Sequence, residues 1–251
     1  CVMKYEAKIQ GNDVGTTAYN ASMVSESRAT GTPWVNISQT NAIAEAQSIG
    51  TGYHLMTEAE WMTIAANVLS VDSNWSTGTV GSGYIYSGHN NYSPSSALAA
   101  STNDTDSLYG ITGGTGSGSQ YNNKRTLVLT NGQVIWDFAG NVWEMVNQTI
   151  EGSQPGLPAD TGYSWREWSS KDFQMNGLGQ MSRLESVSAL AAGWNSNNGV
   201  GAFTSNANET RPRSLHRGGF WGSISRAGVN SLDLFYGVGD AIDILGFRAT
   251  R

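Results

Sequence analysis

Cysteine is nearly absent from this chain of 251 residues, which contains only Cys1. A single thiol cannot form a disulfide within the chain, so stability must come from packing or from a bound metal. Charged residues are also sparse, at 14%, and the net charge of −6 argues against a nucleic-acid partner, which usually meets a basic surface. No apolar run approaches the roughly 18 residues of a membrane-spanning helix.

Glycine and small polar residues are abundant, which favours a loop-rich α+β fold over a helical bundle. The length fits one large domain, and no linker divides the sequence into two cores. We therefore predict one domain over residues 1–251. Cys1 has two interpretations: it opens the first strand, or it is the lipid-bearing first residue of a mature lipoprotein.

Local patterns predict two helices and a hairpin. An apolar stripe predicts a helix over 38–49, and Thr57 with Glu60 forms a capping box that begins a second helix over 57–69. The segment 126–136 predicts a hairpin around Asn131-Gly132, a pair typical of a two-residue type I′ turn. Alternation over 2–8 predicts an opening strand.

The longer segments give weaker signals. Residues 70–120 are rich in Gly, Ser and Asn, but the aromatic residues among them indicate a packed irregular layer. Residues 150–215 are predicted to be loop, with one short helix around 181–190. Trp136, Trp143 and Trp221 are predicted to be core or near-core residues, with an aromatic ligand platform as the alternative.

Lys, Glu, Gln and Met are absent between Phe220 and the C-terminus, although all four occur earlier. The residues there are mainly Gly, Ser, Asp, Phe, Tyr, Ile and Arg, between an Arg-Gly-Gly start at 217–219 and a Gly-Phe-Arg end at 246–248. Aromatic residues mixed with small polar ones are typical of a binding surface on a rigid scaffold.

Five segments, in the same order along the chain, resemble the formylglycine-generating-enzyme family, which has a C-type lectin fold. Gly52–Trp61 is similar to that family's G-[YF]-R-L-P-T-E-A-E-W, and Asp137–Glu144 to its G-N-[VA]-W-E-W. Arg217–Trp221, Gly246–Arg248 and Met3–Glu6 fit its remaining motifs. The resemblance implies a single α+β domain of this lectin type, in which the opening strand and the C-terminal strand ending at Arg248 lie together in one sheet.

The oxidase members of that family hold copper with a pair of cysteine thiolates, the soft ligands that Cu(I) requires. No cysteine follows position 1, so we expect neither copper nor that oxidation. His54, His89 and His216 are too scattered to predict a metal trio. Glu58 and Glu60 are interpreted as helix-start residues and not as paired catalytic carboxylates.

The tail is more similar to the variable proteins of diversity-generating retroelements, which use the same lectin-type fold. In those systems adenines are randomised at AAC or AAT codons, which yield the residue types seen here and never Lys, Glu, Gln or Met. The resemblance implies a variable ligand-binding region at about 217–248, with Val229, Leu232, Leu234 and Ile244 as buried framework. The positions predicted to vary are Phe220, Gly222, Ser223, Ser225, Arg226, Ser231, Asp233, Phe235, Tyr236, Asp240, Ile242 and Asp243.

The enzyme-family resemblance also implies a structural calcium site. Its ligands would be the side chains of Asp137 and Glu144 with the carbonyls of Gly140 and Val142, an oxygen-only set that suits Ca²⁺. The alternative is a hydrogen-bonded turn that buries Trp143. If calcium binds, a chelator should lower the melting temperature.

The expected function is therefore non-catalytic binding of a macromolecular ligand, a protein or glycan on another cell, by a protein at a cell surface, outside the cell or on a virion. Two alternatives stay open. One is an enzyme that kept the fold and changed the chemistry. The other is a calcium-dependent sugar-binding lectin of fixed specificity.

Overall fold

The computed structural model describes residues 1–90, 124–152, 154–157, 159–168 and 195–251, and the helix predicted around 181–190 lies outside them. The two helices are α1 (Gln39–Ser48) and α2 (Glu58–Leu69). The strands are β1 (Ala7–Ile9), β2 (Ser25–Ser27), β3 (His54–Leu55), β4 (Thr126–Val128), β5 (Val134–Trp136), β6 (Trp143–Ile150), β7 (Ser164–Arg166), β8 (Phe203–Ser205), β9 (Arg213–Arg217), β10 (Leu232–Asp233), β11 (Leu245–Phe247) and β12 (Ala249–Thr250).

Both predicted helices are confirmed, because their start signals are local. The Ser38 hydroxyl accepts a hydrogen bond from the Asn41 amide at the start of α1. At the start of α2 the Thr57 hydroxyl accepts from the Glu60 amide, and the Glu60 carboxylate accepts from the Thr57 amide. This reciprocal pair satisfies two backbone donors that the first helical turn leaves without partners.

The predicted hairpin forms, but its turn is wrong in detail. The Gly132 amide donates to the Leu129 carbonyl, and the Leu129 amide donates to the Gln133 carbonyl, both at 2.8 Å. Residues 130–132 thus form a three-residue loop, in which Gly132 has φ +80° and Asn131 does not have a positive φ. A three-residue loop needs only one left-handed residue, whereas the predicted type I′ turn needs two.

Strands from the C-terminal half of the chain form a six-stranded mixed sheet in the order β11-β6-β9-β10-β8-β7. Strands β7, β8 and β9 lie in the segment that was predicted to be loop, so that prediction is wrong there. Met145 of β6 belongs to one apolar core and Val146 to the other. Consecutive residues of a strand face opposite sides, so the two cores lie against the two faces of one sheet.

The chain termini lie together, but the opening strand does not share a sheet with the C-terminal strand as predicted. Strand β1 pairs with β2 in a two-stranded sheet, whereas β11 pairs with β6 and β12 with β3. Val2 pairs antiparallel with Thr250, and the Met3 amide donates to the Ala249 carbonyl at 3.0 Å. The opening strand is shorter than predicted, because the chain bends at residues 4–5 before β1. The bend lets the Lys4 carbonyl accept from the Trp136 amide at 2.9 Å.

Candidate functional surface

The tail after β9 consists of two loops separated by a buried segment. The first loop (220–226) and the second loop (235–243) are largely solvent-accessible, whereas residues 227–234 are buried throughout. Val229, Leu232 and Leu234 are each 0% exposed in this buried segment, as predicted for framework. Ile244 is only half-buried.

Two consecutive glycines fix the start of the first loop. Gly218 and Gly219 have φ values of +87° and +90°, in the left-handed region that side chains rarely adopt. A Cβ on Gly219 would lie 2.7 Å from the Cα of Ala227, and one on Gly218 would lie 3.2 Å from the indole of Trp61. The Arg-Gly-Gly motif therefore follows from backbone geometry.

The other family motifs pack against this start and form framework. Arg217 makes a bidentate ion pair with Glu58 of α2, and both side chains are buried. The Trp61 indole N–H donates to the Val229 carbonyl at 2.8 Å, and its ring stacks on Phe138 with centroids 3.9 Å apart. Glu58 lies in the first turn of α2, and it also holds the tail in place through an ion pair that its interpretation as a helix-start residue did not include.

Nine of the twelve positions predicted to vary lie in the two loops and are at least partly exposed. They are Phe220, Gly222, Ser225, Arg226, Phe235, Tyr236, Asp240, Ile242 and Asp243. The expectation that all twelve side chains reach solvent is wrong for Ser223, Ser231 and Asp233, which are buried. These three do not contact a ligand in this conformation.

Each buried exception has a structural role. The Ser223 hydroxyl accepts from the Phe220 amide at 3.0 Å, and the Ser231 hydroxyl donates to the Ala202 carbonyl at 3.1 Å. Asp233 Oδ2 lies 3.4 Å from His216 Nδ1. Ser223 and Ser231 thus have hydrogen-bond partners inside the protein, as buried polar groups usually do. Asp233 Oδ2 and His216 Nδ1 lie at ion-pair distance, but neither atom has a hydrogen-bond partner among the described residues.

The Asp233–His216 pair continues to Ser214, whose hydroxyl lies 3.0 Å from His216 Nε2. The order Ser–His–Asp matches that of a hydrolytic triad. All three residues are buried, however, and the Ser214 hydroxyl donates to the Tyr236 carbonyl at 3.2 Å. The network therefore supports the second loop from below, where the His216 ring meets Tyr236 edge to face at 5.8 Å.

Strand β7 adds aromatic residues that the sequence did not predict for this surface. The guanidinium of Arg226, in the first loop, lies 4.9 Å above the ring of Trp165. Phe235, in the second loop, meets Tyr163 with centroids 4.8 Å apart. Residues two apart on an extended segment face the same side, so Tyr163 and Trp165 connect the two loops. Of the tryptophans predicted to be core, Trp136 and Trp143 are buried and Trp221 is half-exposed.

The turn predicted to bind calcium is closed by arginines. The Arg125 Nε donates to both Asp137 oxygens at 2.7 and 2.8 Å. Arg248 holds Glu144 through Nε at 2.9 Å and Nη2 at 2.7 Å. All four side chains are at most 3% exposed.

The amides of the same turn are paired as well, although the predicted calcium ligands were the carbonyls of Gly140 and Val142. The Gly140 amide donates to the Gly218 carbonyl at 3.1 Å, and the Val142 amide donates to Glu6 Oε1 at 3.3 Å. Among the residues that the structure describes, no group of three or more His, Cys, Asp or Glu side chains is placed to hold a metal. The donor set therefore does not fit Ca²⁺ in this conformation, because guanidinium groups already neutralise both predicted carboxylate ligands.

We accordingly expect the same melting temperature in about 5 mM EDTA and in about 5 mM CaCl₂. The first would empty a structural calcium site and the second would saturate it. Terbium, whose emission is sensitised by a nearby tryptophan, gives an independent test because Trp143 adjoins Glu144 in the chain. A fall in the melting temperature with EDTA, or sensitised terbium emission, would restore the calcium site.

Glu6 and Lys8 complete this buried charge cluster. Burial, reinforced by the charge of Asp137, raises the pKa of the Glu6 carboxyl to about 8. Burial also lowers the pKa of the Lys8 ammonium to about 8, although the charge of Glu6 opposes this shift. The Glu6 carboxyl also accepts a hydrogen bond from the Asn141 side chain, so it links the first strand to the turn.

The raised pKa of Glu6 predicts how stability depends on pH. Above the ordinary pKa of 4.5 the unfolded chain has lost the Glu6 proton, whereas the folded state keeps it. The free energy of unfolding therefore falls as the pH rises towards 8. The variant Glu6→Gln has no proton to lose, so its free energy of unfolding lacks this fall. We expect the stability of the variant relative to the wild type to increase between about pH 5 and pH 8, by the order of a few kcal/mol.

Urea unfolding across that pH range measures the difference, with the exposed Glu151→Gln as the control. If the difference in free energy of unfolding between Glu6→Gln and the wild type is the same at every pH, Glu6 is ionised in the folded protein.

The adjacent termini, the two capped helices and the mixed sheet together define the α+β C-type lectin fold. The sequence matches the sulfatase-modifying factor enzyme 1-like domain over residues 3–251, so the chain belongs to this family. Within the described residues no helix is long and apolar enough to cross a membrane.

Solved structures give weaker similarities. The I1 variant of Major Tropism Determinant is 12% identical with a TM-score of 0.35, over 84% of this chain and 36% of that one. Its M1 variant is 12% identical with a TM-score of 0.36, over 90% and 39%. PvdO from Pseudomonas aeruginosa is 16% identical with a TM-score of 0.36, over 87% and 61%. The chain thus spans less than two thirds of each of these proteins, and no curated protein sequence matches it.

Proposed function

We propose that this protein is a non-catalytic binding protein that presents the first and second loops to a macromolecular ligand, a protein on another cell. The side chains of those loops are diversified, and the rest of the domain is the scaffold. The protein acts outside its own cell, on a cell surface or on a virion.

The observation that carries the proposal is the division of the tail. Nine positions predicted to vary fall in two accessible loops, and the residues between the loops supply core side chains such as Leu232 and Leu234. Surface changes usually alter stability by only about 0.5 kcal/mol. The loops therefore tolerate many sequences while the core keeps one.

Both alternatives are less well supported. An enzyme with changed chemistry would need other reactive side chains in place of the thiolate pair. The arrangement that comes nearest, Ser214, His216 and Asp233, is buried. A calcium-dependent lectin needs a metal ion that a sugar can reach. The carboxylates of Asp137 and Glu144 are 3% and 1% exposed, and both face arginines.

Sequencing the DNA beside the gene tests the proposal without knowledge of the ligand. We expect a reverse transcriptase gene and a near-copy of the segment encoding residues 217–248. Adenines in the copy should fall at the codons of the exposed positions and should be absent from those of Leu232 and Leu234. A neighbourhood with neither feature would contradict diversification.

A further inference from the structure

Three aromatic rings form a corner at one end of the proposed surface. We call Tyr163, Phe235 and Tyr236 the aromatic corner. Phe235 meets Tyr163 at 4.8 Å with the ring planes at 65°, and meets Tyr236 at 5.0 Å with the planes at 77°. Phe235 is 46% exposed, so the corner presents aromatic surface to solvent.

Carboxylates surround this corner. Asp240 and Asp243 are exposed in the second loop, and Asp233 lies beneath it. Burial is the main cause that raises the pKa of the Tyr236 hydroxyl, and the charges of Asp233, Asp240 and Asp243 raise it further. Of these carboxylates, Asp240 is held next to Tyr236 in the chain, because its Oδ2 accepts a hydrogen bond from the Gly237 amide at 2.8 Å.

The two nearby arginines pair with another acid, and the guanidinium of Arg213 also lies 5.9 Å from the ring centroid of Tyr163. Arg211 and Arg213 both pair with Glu209, at 2.9 and 2.6 Å. Within the described part of the chain, no ion pair of 4 Å or less involves Asp240 or Asp243. The side of the corner that faces solvent therefore combines aromatic surface with negative charge.

We propose that the aromatic corner takes a cationic side chain, arginine or lysine, from a basic segment of a protein partner. This inference rests on the proposed binding function and specifies the chemistry of the ligand. The negative face of an aromatic ring attracts a cation, and an adjacent carboxylate adds a charge-assisted hydrogen bond. The net charge of −6 favours the approach of a basic partner.

The test uses a fluorescein-labelled peptide that contains several arginines, and the same peptide with citrulline at each arginine. Citrulline keeps the shape of the side chain and removes its charge. Fluorescence anisotropy at low and high salt should show binding of the arginine peptide that weakens with salt. The citrulline peptide should bind at least about ten-fold more weakly, as expected when a charged partner is lost.

The variants separate aromatic recognition from general charge attraction. Phe235→Ser and Tyr236→Ser leave the net charge unchanged and should each weaken binding of the arginine peptide about two- to thirty-fold. Asp240→Asn combined with Asp243→Asn should weaken it and reduce its salt dependence. Val80→Ser and Glu151→Gln, exposed residues outside the tail, are the matched controls and should change nothing. If Tyr236→Ser does not fold, Tyr236→Leu removes the aromatic face and keeps apolar bulk.

Equal binding of the citrulline peptide would overturn the proposal, as would aromatic variants that bind like the wild type. Loss of binding only in the aspartate variants would show simple charge attraction and would also overturn it. Sequencing of the neighbouring DNA tests diversification separately. If that DNA holds a reverse transcriptase gene and a repeat of the tail but the arginine peptide does not bind, the proposed binding function still stands. The ligand would then be of another class, such as a neutral glycan.

Discussion

Replacing Arg248 by methionine should lower the free energy of unfolding by about 3–5 kcal/mol, the usual loss when one partner of a buried ion pair is removed. The guanidinium holds Glu144 with two hydrogen bonds and also donates to the carbonyls of Met3 and Trp136, each at 2.9 Å. Methionine leaves the Glu144 carboxylate charged, buried and without this partner.

Urea unfolding followed by tryptophan fluorescence gives the measurement. Arg251→Met is the matched control, because Arg251 is exposed and lies 5.6 Å above the ring of Tyr53. It should change stability by no more than about 0.5 kcal/mol. In the double variant Arg248→Met with Glu144→Gln, part of the loss should be recovered, because no unpaired charge is buried.

A loss below about 1 kcal/mol for Arg248→Met would mean that Glu144 has another counter-charge, for which a metal ion is the leading candidate. The result therefore bears on the calcium question independently of chelation. If Arg248→Met does not fold, Arg248→Lys replaces it in the test. Lysine keeps the positive charge but lacks the paired N–H donors of the guanidinium, so its free energy of unfolding should still be lower than that of the wild type.

The parts of the fold that were predicted correctly are those with local signals. The capping box of Thr57 and Glu60 lies within four consecutive residues, and the hairpin joins residues 126–128 to 134–136. Two of the strands that were missed, β7 and β8, have only three residues each, which is too short to show an alternating pattern. The longer β9 pairs over a long distance, with β6 through Glu144 and Arg217.

The candidate surface was predicted in part, for a similar reason. The residue types between Phe220 and Asp243 indicated an exposed tail, but not which positions β10 would bury. Ser231 and Asp233 became buried because the chain at Leu232–Asp233 pairs with both β8 and β9. Partners from other segments, such as Trp165 on β7 and Tyr163 just before it, have no signal in the tail itself.

The residues that pair with the predicted calcium ligands are also distant from them in the sequence. Asp137 and Glu144 were identified from one short motif, whereas their counter-charges come from Arg125 and Arg248, the latter 104 residues from Glu144. Local sequence shows a set of oxygen ligands and does not show which cation meets them. In this chain the folded structure places two guanidinium groups there.

Replacing Leu234 by alanine should cost about 2–5 kcal/mol of stability, because its side chain is 0% exposed in the core beneath the tail. Its neighbours in the chain should behave differently. Phe235→Ser removes an exposed side chain that meets other rings of the surface, and Tyr236→Ser removes a half-exposed one that also meets the buried His216 ring. We expect each to cost about 1 kcal/mol or less, a surface change plus the loss of one aromatic contact.

Three adjacent residues thus give a direct test of the division between display loop and core, measured by urea unfolding of all three variants under one condition. The comparison is internal, because each change removes a large apolar side chain within the same few residues. Tyr236→Ser also keeps the backbone carbonyl that accepts from the Ser214 amide at 3.1 Å, so a loss there reports on the ring. If the aromatic variants unfold as readily as Leu234→Ala, the second loop belongs to the core. Its side chains then could not vary freely, and the diversified binding surface would have to be abandoned.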